Sequence, residues 1–228
     1  MKLLSGKRIP LDEKAFTGAD AAQFYDEHAL RFMGSVYRRL ARNVAALVPT
    51  GARALDVGTG TGRLAIELAK ARPDLHITGV DISADMLSVA WQNAALSDFS
   101  ARIEFRPAPA VTLPFPDGHF ALVTSNASLH LWTDPVAVLG EIARVTATGG
   151  YCLVRDNLRL AALDPFLRLV GMVLGMDRAQ RRLWLQAIRA SYTPGEVKAI
   201  LSSSALKDAR VSVAPDLLYL DIDWKKPR

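Results

Sequence analysis

A single cysteine, Cys152, occurs among 228 residues. It excludes an internal disulfide and any multi-cysteine metal site, and it fits a reducing compartment. Long apolar runs are also missing. The most apolar later stretch, 160–176, is broken by Asp164, Pro165 and Arg168, so it falls short of a membrane span of ~20 apolar residues. Residues 1–14 carry Lys2, Lys7, Arg8, Asp12, Glu13 and Lys14 around no apolar core. No secretory signal is expected there, and the chain reads as a cytoplasmic protein. Blocks of one charge are absent as well. The 28 Lys and Arg against 23 Asp and Glu leave a net charge of +5, yet the basic clusters are pairs such as Arg181–Arg182 and Lys225–Lys226. Without a basic stripe interleaved with aromatics, no nucleic-acid partner is expected.

What is present is a chain 50% apolar, enough to bury the core of one large domain spanning 1–228. Nothing in it fixes the oligomeric state, and a homodimer stays open. Residues 15–48 place Phe24, Leu30, Val36, Leu40, Val44, Leu47 and Val48 at helical spacing and end at Pro49 and Gly51, which predicts two leading helices. A core of alternating strands and helices follows over 52–156, the pattern of a parallel sheet wound with helices on both faces. Strands are expected at 53–57, 76–81, 102–106, 120–125 and 150–156. Helices are expected at about 62–71, 84–96 and 135–145, the last two capped by Ser83 and Asp134. Residues 158–190 read as a helical insert with a polar face over 178–182. In the final segment, 192–228, Thr193 and Pro194 start a helix running to about Leu201. The stretches 209–213 and 217–224 form an antiparallel edge hairpin.

The most informative segment is Ala54-Leu-Asp-Val-Gly-Thr-Gly-Thr-Gly62, a buried strand running into a glycine turn and then a helix. Alternate glycines let a ligand approach the main chain, and the helix N-terminus behind them offers free amides to an anionic group. Arg63 stands where neither a dinucleotide fingerprint nor a P-loop allows it. Asp81 ends the second strand, whose carboxyl end in an open α/β sheet faces the ligand crevice.

These residues carry a resemblance. Leu55-Asp-Val-Gly-Thr-Gly-Thr-Gly62 and Gly79-Val-Asp-Ile-Ser-Ala-Asp-Met-Leu87 resemble the first two motifs of class I S-adenosylmethionine-dependent methyltransferases. Leu113-Pro-Phe-Pro-Asp-Gly-His-Phe120, Ser125-Asn-Ala-Ser-Leu-His-Leu-Trp132 and Glu141-Ile-Ala-Arg-Val145 are similar to the small-molecule branch related to ubiquinone and menaquinone biosynthesis. The resemblance implies a Rossmann-like α/β fold: a doubly wound sheet of seven strands, order 3-2-1-4-5-7-6, the last strand antiparallel.

It also implies S-adenosylmethionine as cofactor and a small-molecule acceptor. Asp56 would orient the glycine turn, and backbone at Gly58, Thr59 and Gly60, with Gly62 closing the turn, would meet the methionine portion. Asp81 would hold the ribose, Ile82 and Met86 would flank adenine, and Ala110 and Ser125 would complete the donor site. Pro109 stands where the family usually has an Asp for the adenine amine, so adenine recognition is expected to rely more on backbone and packing, or to be weaker.

For a hydroxyl or carbon-acid acceptor a general base is required, and His130 beyond the fourth strand is the first choice. Tyr25, His28 and Tyr192 are the residues expected to line the acceptor side, beneath a roof of leading helices and insert. Gly149-Gly150 followed by Asp156-Asn157 resembles the metal-binding pair after the fifth strand of magnesium-dependent catechol methyltransferases. The second Asp is lacking near the fourth strand, and no metal is expected. The competing readings are a nucleic-acid methyltransferase, an aminopropyl transferase, and a binding protein that kept the fold without the chemistry.

Overall fold

The computed structural model describes residues 6–11, 18–160, 163–214 and 218–228. Helix α1 (Ala19–His28) passes through a π-helical turn (Ala29–Met33) into α2 (Gly34–Ala45). The core then runs β1 (Arg53–Val57), α3 (Arg63–Ala71), β2 (His76–Asp81), α4 (Ala84–Ala95), β3 (Ile103–Pro107), β4 (Phe120–Asn126), α5 (Pro135–Val145) and β5 (Thr146–Asn157). Two helices follow, α6 (Asp164–Val173) and α7 (Arg178–Ala190), then α8 (Pro194–Ser202), β6 (Arg210–Val213) and β7 (Tyr219–Lys225).

The seven strands form one sheet in the order β3-β2-β1-β4-β5-β7-β6. The first five pair in parallel, and β7 runs antiparallel to both β5 and β6. Strands buried on both faces leave little polar alternation, which is why β1 reads Ala-Leu-Asp-Val. Two cores result, one on each side. Leu40, Val44, Leu64 and Leu68 pack on one face of the sheet with Ala54. Leu139, Ile142, Leu201 and Leu220 pack on the other with Leu55 and Val57.

Local chemistry sets the helix starts. The Ser83 hydroxyl accepts the Met86 amide at 3.3 Å, and the Asp134 carboxylate accepts that of Ala137 at 3.0 Å. Thr193 and Glu196 form a complete capping box with Pro194 in the first turn, and Asp177 and Gln180 form a second at α7.

Three sequence expectations shift. The leading helices are joined by a π turn, which periodicity at 3.6 residues does not reveal. Strand β5 begins at Thr146 instead of Gly150, because the β4–β5 register slips between Phe120 and Leu122 and absorbs Gly149 and Gly150 inside the strand. Strand β4 runs one residue further than expected, to Asn126, while β7 lies beside β5 with β6 outermost, as the expected order has it. The expected start of the first helix at 15–17, the hairpin turn with Pro215 and Asp216, and Leu217 lie outside the described residues. The strand order reverses between β1 and β4, so the carboxyl ends of β1, β2 and β4 open a crevice there.

Candidate functional site

Glycine turn 58–62 crosses that crevice, with Gly58, Gly60 and Gly62 at φ of 67°, 54° and 76°. Two of these positions also lack room. A Cβ on Gly58 would meet the Ser128 Oγ at 2.3 Å, and one on Gly62 would meet the Phe105 ring at 2.6 Å. The turn is held from beneath by Asp56, whose carboxylate accepts the Thr59 hydroxyl at 2.8 Å and the Thr124 hydroxyl at 2.9 Å. Burial pushes its pKa up to about 6, the two hydroxyls opposing and Asp81 adding to the rise.

A carboxyl raised above its ordinary 3.8 favours the protonated form in the folded chain, so ionising it costs stability as pH rises from about 4 through about 6. Asp56→Asn is therefore expected to gain thermal stability relative to the unaltered chain between pH 4 and 7, by on the order of 2–3 kcal/mol. Melting curves across that range check it, and an offset that does not change with pH contradicts it.

Asp81 faces the turn. Its Oδ2 accepts the Gly60 amide at 2.8 Å and its Oδ1 accepts the Ser83 amide at 2.9 Å. A carboxylate has about four lone-pair directions, so two remain for a ligand's hydroxyls. Burial raises its pKa, against the amides that lower it.

Gly58, Gly60 and Asp81 line one end of a cavity of about 1260 Å³, larger than the several hundred Å³ that hold a single small ligand. Ile82, 78% exposed, and the buried Met86 wall this end together with Pro109 and Ala110. Tyr25 and His28 of α1, Met176, Leu183 and Trp184 of the insert, and His130 line the same cavity, with Tyr25 beside Gly60.

His130 sits on the short turn Leu129–Leu131 after β4 and is bound to Asp156 at the end of β5. The ring Nδ1 lies 2.7 Å from Asp156 Oδ1 and 3.0 Å from Oδ2. The same carboxylate accepts the His130 amide at 2.6 Å and the Asn157 amide at 2.7 Å. With Asp156 an acceptor throughout, Nδ1 is the ring nitrogen that donates to it, and Nε2 is left free of that contact. Asp156 is thus the orienting partner of His130. Among the described residues no group of three or more His, Cys, Asp or Glu is placed to hold a metal ion.

The remaining sequence-derived residues divide. Thr59 does not line the cavity: its amide donates to the Val80 carbonyl at 2.9 Å, so the backbone contact expected of it goes to the fold instead. Ser125 is fully buried and off the cavity wall, because neighbours on a strand face opposite sides. Its neighbour Asn126 takes that place, and sequence reasoning missed it. The signal was its position as the last residue of β4. Tyr192 lies outside the lining too, with the Arg8 guanidinium 4.2 Å from its ring centre.

Tyr25 and His28 both reach the cavity. Burial holds the Tyr25 hydroxyl protonated and lowers the pKa of His28, the latter against Asp177. Three buried polar atoms of lining residues, both side-chain polar atoms of Asn126 and Nδ1 of His28, have no hydrogen-bond partner among the described residues. Leaving such atoms unsatisfied is costly.

A seven-stranded sheet of this order, with a glycine turn and a facing aspartate at the reversal point, defines a class I S-adenosylmethionine-dependent methyltransferase. Residues 50–190 match a family model described as a methyltransferase domain, and the chain belongs to that family. It is 38% identical over 181 residues to a demethylmenaquinone methyltransferase of Thermus thermophilus, covering 74% of this chain and 80% of the relative. A 27-O-demethylrifamycin SV methyltransferase of Amycolatopsis mediterranei is 37% identical, the match covering 64% of this chain and 57% of the relative. In structure the chain is similar to human N-acetylserotonin methyltransferase in complex with S-adenosylmethionine, at 21% identity and a TM-score of 0.63, covering 94% of this chain and 58% of that one. That likeness shows the fold. Among the described residues no helix is long and apolar enough to cross a membrane.

Proposed function

We propose that this chain methylates the hydroxyl or acidic carbon of a small, largely apolar acceptor, with His130 as general base and S-adenosylmethionine as donor. The observation that carries the reading is the shared cavity, lined by Asp81 and the glycine turn together with His130, whose ring Asp156 holds. The relatives whose names print a demethylmenaquinone and a demethylrifamycin agree with it.

The donor fits the residues present. Asp81 has lone pairs left for ribose hydroxyls, Ile82 and Met86 offer an apolar slot for adenine, and Gly60 gives an open backbone face beside Tyr25. When bound, S-adenosylmethionine supplies a methyl group already activated by its sulfonium. His130 Nε2 takes the acceptor proton, and Asp156 stabilises the resulting imidazolium. Asn126 offers one donor and one acceptor between the glycine turn and His130. The insert and α1, forming one domain with the core, exclude water from the acceptor.

The setting is proposed as cytoplasmic, and nucleic acid is not the acceptor. Incubation with methyl-labelled donor and separate phenol, hydroquinone, amine and RNA acceptors tests this by mass spectrometry. Label on a hydroxyl or ring carbon is expected, and transfer confined to amines or RNA contradicts it.

A further inference from the structure

Helix α7 has two unlike faces. Leu183, Trp184 and Ala187 line the donor cavity. The opposite face carries Arg178, Arg181, Arg182 and Arg189, which with Arg168 of α6 line a separate hollow of about 750 Å³. Arg189 pairs with Asp164, and the Arg181 guanidinium donates to the Met176 carbonyl. Arg168, Arg178 and Arg182 are exposed and have no ion-pair partner among the described residues. Residues 163–190 hold five arginines against two aspartates, more than half of the chain's net charge of +5.

Beside this hollow α6 leaves an apolar face open. Leu167 packs with Leu185 and Ile188 of α7. Phe166, Leu169, Met172 and Val173 stand on the other side of α6 at positions i, i+3, i+6 and i+7, with Val173 80% exposed. Helix propensity alone does not require four apolar residues in water, and a contiguous exposed apolar face marks a contact surface. An apolar helix face bordered by unpaired arginines is the pattern of a helix lying in a bilayer interface, the side chains entering the acyl boundary and the guanidinium groups meeting lipid phosphates. A second copy of this chain is a poorer occupant, because it would bring one arginine cluster against another.

We propose that the outer face of α6 and the arginines of α7 dock this protein on an anionic lipid bilayer. Docking sets the insert, and with it one wall of the cavity, against the membrane surface. The contact is independent of the chemistry proposed for the cavity.

Co-sedimentation of the full chain with vesicles tests it, using phosphatidylcholine alone or phosphatidylcholine mixed with phosphatidylglycerol. The expected result is binding to the mixed vesicles only, weakened by salt. Arg178→Glu with Arg182→Glu, and separately Leu169→Ser with Val173→Ser, are expected to lower it roughly tenfold or more. All four positions are off the donor cavity, so unchanged melting and unchanged S-adenosylhomocysteine binding show that the variants are folded. Absence of vesicle binding overturns the proposal, as does binding that survives both double variants. A dimer in light scattering that the Leu169→Ser, Val173→Ser variant dissociates, with no vesicle binding, overturns it in favour of self-association.

Discussion

His130→Ala is expected to lower kcat for methyl transfer by about 10² to 10⁴, the usual contribution of a positioned general base, while leaving donor affinity unchanged. The ring is 4% exposed and touches the cavity, and its Nδ1 is fixed by Asp156. Removing the imidazole leaves the acceptor proton without a placed receiver, so the loss falls on the chemical step and not on binding of the donor. Asp156→Asn tests the same arrangement from behind. An amide there offers Nδ1 a donor as readily as an acceptor, which releases the tautomer that points a lone pair at the cavity. Its kcat is expected to fall in the same direction with KM less affected. Single-turnover rates across pH measure both. An unchanged rate in His130→Ala would mean that proximity alone suffices and that His130 is a structural residue.

Asp81→Ala is expected to weaken S-adenosylhomocysteine binding by on the order of 100-fold or more. Hydrogen bonds to a charged group contribute about 1.5–3 kcal/mol each, and a ribose presents two hydroxyls. The alanine also frees the Gly60 and Ser83 amides that the carboxylate now holds at 2.8 and 2.9 Å, so the turn loosens with the contact. Asp81→Asn separates the two effects. It keeps one acceptor oxygen and loses the charge, and its affinity is expected to fall between those of Asp81→Ala and the unaltered chain. Calorimetric titration, with melting curves to confirm folding, reads both variants. Equal affinity in all three would place the donor elsewhere.

The donor end was legible in the sequence because its requirements are local. Three alternate glycines, a buried Asp56 before them and Asp81 at the end of the next strand all fall within one strand–helix–strand unit. The register Asp56↔Gly79 then sets β2 beside the turn. The acceptor end was less legible because it is assembled across the chain. His130 could be singled out by its loop, but its partner Asp156 comes from the next strand, and the sequence suggested a metal-site comparison for that residue instead. Asn126 in place of Ser125 turned on which face of β4 meets the crevice, and a strand buried on both sides carries no alternation to decide it. Tyr192 packs under the Arg8 guanidinium of the 6–11 segment, a contact between residues far apart in the chain that no periodicity encodes.

Hydrogen exchange of the unaltered chain with and without S-adenosylhomocysteine tests the central claim most directly, because it locates the donor as well as detecting it. Slowed exchange in the segments 56–62, 79–86 and 108–111 is the predicted result. Binding that protects none of these segments, or no binding by a folded chain, would contradict it.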